Sequence, residues 1–462
     1  MKRALIVTFC LLILVVAGAY VAAQRVLGSD LVRSQLEQQL TARLGQPVRI
    51  GSATARIYPG VAVDLGDVSV GQPESLRLAR IRVFTGIRAL FADTIDIRRI
   101  EVTNGRPGGN GPPVSFDLDA SVLGDHLDVR ALTLRGPTTR IEARGALTSI
   151  ANIEGAFDAR ADVLDLNELI AIGGALAPPP RARGSAPSPI HLSVSLKTPR
   201  VRFGNDEFRD LSTTIDAVPS RVVLDGLSVR LFGGAFKGRL DADTREPAAV
   251  VRLTGAINGL DVADLLKRTG SAGGVTGRLS GNISLVAQGA DGAALMRTAR
   301  GTIAATIAKG TLPHLDMVRT VVVAFGKPAP GAAHGSGTAF ETLSGTFALA
   351  GGTLRSENLA LRSRDLDTDG RGTLSVESGA VDARADVTLS RELTAQAGTD
   401  LRRYAQQDGR IVVPATVRGT LDRPTVFIDV AAAAKRAVGN ELRRRATDFL
   451  GGLFKKKKKG GS

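Results

Sequence analysis

The 462 residues include no tryptophan, three tyrosines, four histidines and one cysteine. Cys10 lies inside an apolar N-terminal run, so the remainder of the chain carries no disulfide and no thiolate metal ligand. His126, His191, His314 and His334 are widely separated, and none stands in a spacing that puts two imidazoles on one face. There is no Gly-x-Ser-x-Gly elbow, no Gly-x-x-x-x-Gly-Lys-Ser/Thr loop and no Gly-x-Gly-x-x-Gly after a strand. No pair of carboxylates stands out as an acid and base. The expectation is a protein without catalytic residues and without a cofactor.

What the chain has instead is 53 glycines, 43% apolar residues and only 4% aromatics, a mixture of small and β-branched side chains that suits strands and turns. The net charge of +15 is unevenly spread. Residues 435–459 hold ten Lys or Arg against Glu441 and Asp448, a local +8, which leaves a mildly basic body.

After Lys2 and Arg3, residues 4–23 are uncharged, about the length a helix needs to cross a bilayer core. The basic flank assigns the N-terminus to the cytoplasm and the rest to the far side. Ala17-Gly18-Ala19 and Val21-Ala22-Ala23 also resemble signal-peptide cleavage sites, and under either reading the bulk of the chain is exported. Ser29 then caps a short helix with Leu36, Leu40 and Leu44 on one stripe, stopped by Gly45 and Pro47.

From there the period changes to two, as in Val61, Val63, Leu65; Ile95, Ile97; Leu192, Val194; Leu227, Val229; and Val426, Ile428. Strands at this spacing, with Gly and Asp turns between them, predict antiparallel meanders. Short helices are expected at 165–171 and 261–267, each opened by an Asp cap, and a buried one at 315–325. Stretches 104–113, 173–189 and 327–338, rich in Gly, Pro or Ser, read as loops or linkers.

A recurrence runs through the middle: Leu132-Thr133-Leu134-Arg135 with Gly145-Ala146-Leu147, Leu227-Ser228-Val229-Arg230 with Gly238-Arg239-Leu240, and Leu359-Ala360-Leu361-Arg362 with Gly372-Thr373-Leu374. Each unit predicts a hairpin. The first two run on to Leu164-Asp165-Leu166 and Leu260-Asp261-Val262, a strand passing into a capped helix.

A one-faced sheet of this length must be covered, paired with a second sheet, or curled around something apolar, and the pattern does not choose between a groove and a self-buried sandwich. The N-terminal layout from Leu36 through Gly51, then Val61 to Val70 and Ile95 to Val102, resembles the start of AsmA-like proteins. Gly277-Arg278-Leu279-Ser280-Gly281, Gly289, Arg300-Gly301-Thr302-Ile303 and Gly310-Thr311-Leu312 resemble that family's C-terminal region.

The resemblance implies a mainly β fold: an N-terminal transmembrane helix, an elongated, curled antiparallel β-sheet groove with a few short helices, and a C-terminal amphipathic helix. The division expected is 1–28 basic flank and anchor, 29–172 stalk helix and first β region, 173–189 linker, 190–430 second β region and 431–462 basic tail. The resemblance also implies an inner-membrane, periplasm-facing protein that shelters phospholipid acyl chains and serves outer-membrane biogenesis. The groove would be lined by Val61, Val63, Leu65, Ile95, Ile97, Leu192, Val194, Leu227, Val229, Leu359, Leu361, Val426 and Ile428. The alternative is a non-enzymatic periplasmic scaffold for outer-membrane protein assembly with a self-buried β domain.

Two local features remain. Asp365, Asp367 and Asp369 before Gly370 match the opening of a calcium loop, but Glu377 falls one position late, so a hairpin tip is the preferred reading. In the tail, Arg443, Arg444, Arg445, Phe449, Phe454 and Lys455, Lys456, Lys457, Lys458, Lys459 suit contact with an anionic membrane surface, with a solubilising tail or a contact with envelope proteins as alternatives. Nucleic acid is not an expected partner, because stacking aromatics are few and export removes it.

Overall fold

The computed structural model describes residues 46–56, 62–71, 76–85, 97–108, 113–150, 152–176, 190–245, 248–268, 273–317, 337–396 and 406–429, with 33–34, 37–38, 40–41, 320, 432 and 435. The chain divides into two compact units, Met1–Val229 and Arg230–Ser462.

The first unit is a meander of β1 (Val48–Arg56), β2 (Ala62–Val70), β3 (Leu76–Thr85), β4 (Ile97–Pro107), β5 (Ser115–Leu123), β6 (His126–Arg135), β7 (Arg140–Ser149) and β8 (Glu154–Ala161), each antiparallel to the next. The chain then passes through β9 (Leu164–Asp165) and α1 (Leu166–Leu176) before β10 (His191–Phe203) and β11 (Asp206–Val218). β10 runs parallel to β8 and β9, which departs from the antiparallel meander expected throughout. The cause is the crossover: leaving by α1 brings the chain back to the end from which β8 started, and a parallel neighbour needs a connection of that length. β12 (Arg221–Leu231) follows across the unit boundary.

β1 pairs only with β2 among the described residues, so its other edge needs partners. The helical residues Glu37 and Thr41 supply them. Ile50 N donates to Glu37 Oε1 at 2.7 Å, Val48 N donates to Thr41 Oγ1 at 3.0 Å, and Leu40 packs on the cluster of Val48, Ile50, Leu65, Val68, Leu78 and Val102.

The second unit is built from β13 (Gly234–Asp243), β14 (Ala249–Asp261), α2 (Val262–Arg268), β15 (Arg278–Gly289), α3 (Gly292–Thr298), β16 (Arg300–Leu312), β17 (Thr338–Ala350), β18 (Thr353–Arg362), β19 (Leu366–Ser375), β20 (Ala380–Leu389), α4 (Arg391–Gln396), β21 (Gln406–Gln407), β22 (Arg410–Thr420) and β23 (Arg423–Ile428). Its ladders are antiparallel from β13 to β23, and β23 pairs only with β22 among the described residues, so strand pairing does not close the sheet. It nonetheless curls. Five strands lie between β15 and β22, which a flat sheet would hold roughly 29 Å apart. Yet Gly274, just before β15, meets the turn after β22 so closely that a Cβ on it would lie 2.6 Å from the Leu421 carbonyl oxygen. Leu421 accordingly packs on a core of Val262, Val275, Leu315, Met317, Phe340, Leu361, Leu366, Val387, Leu389, Ile411 and Val413.

The helices start as their sequences dictate. Asp165 Oδ1 accepts from Asn167 N (3.0 Å) and Glu168 N (3.2 Å), and Asp261 Oδ1 from Ala263 N (3.0 Å) and Asp264 N (3.3 Å), the two expected caps. Asp291 opens α3 and Ser390 opens α4 in the same way, two short helices that the sequence reading passed over. Of the expected helix at 315–325, Leu315 and Met317 are buried, Met317 and Thr320 are helical, and the rest lies outside the described residues. Residues 173–176 finish α1, and the remainder of the 173–189 linker is likewise outside.

Candidate functional site

Each unit separates an aliphatic face from an ionic one. On the polar face of the first unit, Asp64, Arg82, Glu101 and Asp119 stand opposite one another on β2 to β5. Arg82 Nε lies 2.6 Å from Asp64 Oδ1, Arg99 reaches Glu101 at 2.9 Å, and Arg99 holds Asp119 through both nitrogens at 2.8 and 2.9 Å. These pairs keep Arg82 and Arg99 firmly charged, chiefly through their hydrogen bonds to Asp64 and Asp119. Asp117 accepts from Asn104 N at 2.8 Å and from Arg135, and is held below the usual carboxylate range, first by that backbone bond.

The apolar face repeats across the ladders. In the second unit Leu240, Leu253, Leu285 and Gly301 are successive partners, as are Gly281, Ala305 and Gly345, and then Leu354, Leu374 and Val381. Near α2, α4 and the 315–317 segment this face is fully buried. Away from them Leu253, Ile257, Ile283, Ile303, Phe347 and Leu374 are only half-buried, while the alternate positions Arg252, Thr254, Asn282, Thr302 and Thr346 are exposed. The first unit repeats the arrangement: Leu127, Leu132, Leu147, Phe157 and Leu192 are half-buried between the cluster at β1 to β4 and a second one at α1. The face is therefore covered at defined places and open between them.

Glycine has a role here beyond the turns assigned to it from sequence. A Cβ on Gly105 would lie 2.6 Å from Cε1 of Phe116, its cross-strand partner. Gly255 has Phe236 Cζ at 2.5 Å, and Gly145 has its partner Phe157 at 2.8 Å, from the same hypothetical Cβ. Phe340 covers Gly310 likewise. Each of these glycines leaves room for a ring that a side chain in its place would strike.

The residues expected to line a groove are distributed as follows. Leu65 and Leu361 are buried in the core clusters, and Val63, Val194, Val426 and Ile428 pack against them. Ile97, Leu192, Leu227, Val229 and Leu359 are half-buried, and Val61 and Ile95 lie outside the described residues. Sequence reading passed over the β14 to β17 positions, where glycines at the centre of Val251-x-Leu253-x-Gly255-x-Ile257 obscure an alternation that is present.

Asp365 stands in the 363–365 turn, which Ser363 closes through Leu366 N to Ser363 Oγ at 3.1 Å. Asp367 and Asp369 lie on β19 and are engaged by Arg410 (3.0 Å) and Arg362 (2.5 Å). The Asp369-Gly370 pair is thus no hairpin tip. It sits in mid-strand because Leu366, 1% exposed, must face the core, and Gly370 then opposes Ala385, whose Cβ a side chain at 370 would strike at 2.6 Å. The same polar face carries an open groove of about 710 Å³ in which Arg371 stands directly opposite Arg384 and Asp369 opposite Asp386. The tail residues Arg443 to Lys459 and the run 4–23 lie outside the described residues, within which no helix is long and apolar enough to cross a membrane.

No curated protein and no solved structure matches the chain. Residues 162–359, from β9 to β18, match the model of the AsmA family. That segment contains the Gly277 to Leu312 pattern and both capped strand-to-helix passages, whereas the N-terminal pattern lies before it. Residues 162–359, less than half of the chain, thus carry its likeness to the AsmA family.

Proposed function

We propose that this protein is anchored in the bacterial inner membrane by residues 4–23, extends into the periplasm, and shelters phospholipid acyl chains on its aliphatic sheet face in support of outer-membrane biogenesis. The observation that carries the reading is the half-buried state of that face in both units. An apolar surface left partly wet by the protein's own packing gains about 0.8 kcal/mol for each methylene laid on it. The opposite face is ionic, so occupation from that side is disfavoured. The chemistry is binding alone, with no covalent step and no cofactor, and the basic residues 443–459 suit an anionic surface.

Mass spectrometry of lipid extracted from the purified full-length protein tests this: stoichiometric phospholipid is expected, and a lipid-free extract overturns it. The scaffold reading draws on the fully buried core of the second unit, where Ile411 and Val413 are inaccessible. Crosslinking that recovers envelope proteins and never lipid would favour it.

A further inference from the structure

One row of the first unit's polar face is made of arginine and serine alone. At one end of the sheet Arg49 on β1 stands opposite Ser69, Ser69 opposite Arg77, and Arg77 opposite Arg106. Gly105 opposes Phe116, so Arg106 falls beside Ser115, which stands opposite Arg135, and Arg135 stands opposite Arg140 on β7. The flanking Val48, Ile50, Val68 and Leu78 belong to the buried cluster, which turns the row to the other side of the sheet. All five arginines are exposed. From β1 to β7 the row runs roughly 29 Å at ordinary strand spacing, and no carboxylate interrupts it.

Such a row costs stability. Like charges directly opposite one another on neighbouring strands repel, and Arg77 with Arg106 and Arg135 with Arg140 are two such pairs. Deeper on the same face Asp64 stands opposite Arg82 and Arg82 opposite Glu101, so acid answers base there. Two residues along the strands from the row lie Asp67, Asp117 and Glu142. Asp117 engages Arg135, and Glu142 engages Arg140 at 2.8 Å. Arg49, Arg106 and Asp67 form no ion pair among the described residues, and Arg106 Nε donates to Asn104 Oδ1 at 3.0 Å. The charge left over therefore lies on the β1 to β4 half of the row.

That half offers many donors and asks for an acceptor with several oxygens. A phosphate group supplies one: guanidinium forks on neighbouring strands each give it parallel N–H···O bonds, the Ser69 hydroxyl gives another, and the repulsion between Arg77 and Arg106 becomes attraction to a shared anion. A protein partner is disfavoured, because the row contains no aromatic or large aliphatic side chain to anchor one.

We infer that Arg49, Ser69, Arg77 and Arg106 form a binding site for a phosphate group, carried by a free phosphate or by the headgroup of an anionic lipid. The site lies on the face opposite the aliphatic one, so it stands or falls independently of acyl-chain sheltering.

The test is calorimetric titration of the full-length protein in nonionic detergent at constant low ionic strength. Inorganic phosphate is the first probe, and short-chain dihexanoyl-phosphatidylglycerol against dihexanoyl-phosphatidylcholine is the second. Arg77→Gln with Arg106→Gln is expected to weaken binding by about ten-fold or more. Arg252→Gln with Arg355→Gln removes the same charge from exposed positions of the second unit and is expected to leave binding unchanged. The pair at Arg77 and Arg106 relieves a repulsion, so its Tm in chloride should not fall, and phosphate should raise the Tm of wild type alone. Arg49→Gln, a single exposed change, repeats the test should the pair fail to fold. Row-dependent binding of phosphate assigns the site to a free anion, and row-dependent preference for phosphatidylglycerol without phosphate binding assigns it to a headgroup. Binding unaffected by the row variants, binding weakened equally by the second-unit pair, or no binding of either probe overturns the site.

Discussion

At the scale of single residues, the unusual composition has a structural use. The chain has no tryptophan, and four of its phenylalanines, Phe116, Phe157, Phe236 and Phe340, pack against glycines that leave room for the ring. Gly105 is the cleanest case, because the nearest atoms to a Cβ there all belong to the Phe116 ring. Gly105→Ala is expected to cost about 1 to 3 kcal/mol in urea unfolding, and adding Phe116→Leu should recover part of that loss. A double variant no more stable than the single one would show that the ring is not the obstacle. Asp117 gives a second prediction. Its folded value is lowered, so its ionised form stabilises the fold above the carboxylate range of the unfolded chain, and that contribution is lost as pH falls through the folded value. Asp117→Asn should therefore lower stability at neutral pH and lose less on going to about pH 3 than wild type does, as followed by denaturant titration at both pH values. The alternation of Leu192 and Val194 is readable because period two needs no knowledge of partners. The pairing of Gly310 with Phe340 is not, because a long connection separates them and only the β16–β17 register brings them together.

At the scale of elements, the capped passages from strand to helix decide where the apolar face is covered. Asp165→Ala and Asp261→Ala should each cost about 1 kcal/mol. Glu168 does more: its Oε2 accepts from Thr138 N (3.2 Å) and Thr139 N (3.0 Å), tying α1 to the β6–β7 turn. Gly136 leaves the room for it, since a Cβ there would come within 2.5 Å of Glu168 Cδ. Glu168→Ala strands two amide donors and is expected to cost about 2 kcal/mol, with faster hydrogen exchange at Thr139 as its local signature. Unchanged exchange there would remove α1's tie to the turn as the cause. The caps were visible in the sequence because their donors lie within three residues. The tie to residues 136–139 was hidden because it crosses some thirty residues of chain.

At the scale of the whole molecule, the second unit curls until the turn after β22 meets the loop before β15, and this contact decides how much of its face is buried. Gly274→Val would force that contact apart. The expected result is faster hydrogen exchange and proteolysis around 411–428, with the first unit's exchange unchanged, and equal protection in variant and wild type would dismiss the contact as a clasp. The lipid-free protein, with aliphatic side chains half-exposed in both units, should bind a hydrophobic dye, and added phospholipid should displace the dye and raise Tm.

Strand periodicity, turn chemistry and Asp caps are local, with their partners a few residues away, so the sequence by itself determined a mainly β chain with short capped helices and one aliphatic face. Register, curvature and crossover direction depend on partners far along the chain. Only the tertiary structure decided that β10 lies parallel to β8, that Gly370 falls in mid-strand, and that the apolar face is shut beside α1 and along the second unit's core yet half-open elsewhere. Burial is a property of what lies across from a side chain, and that is set by the fold of the whole unit.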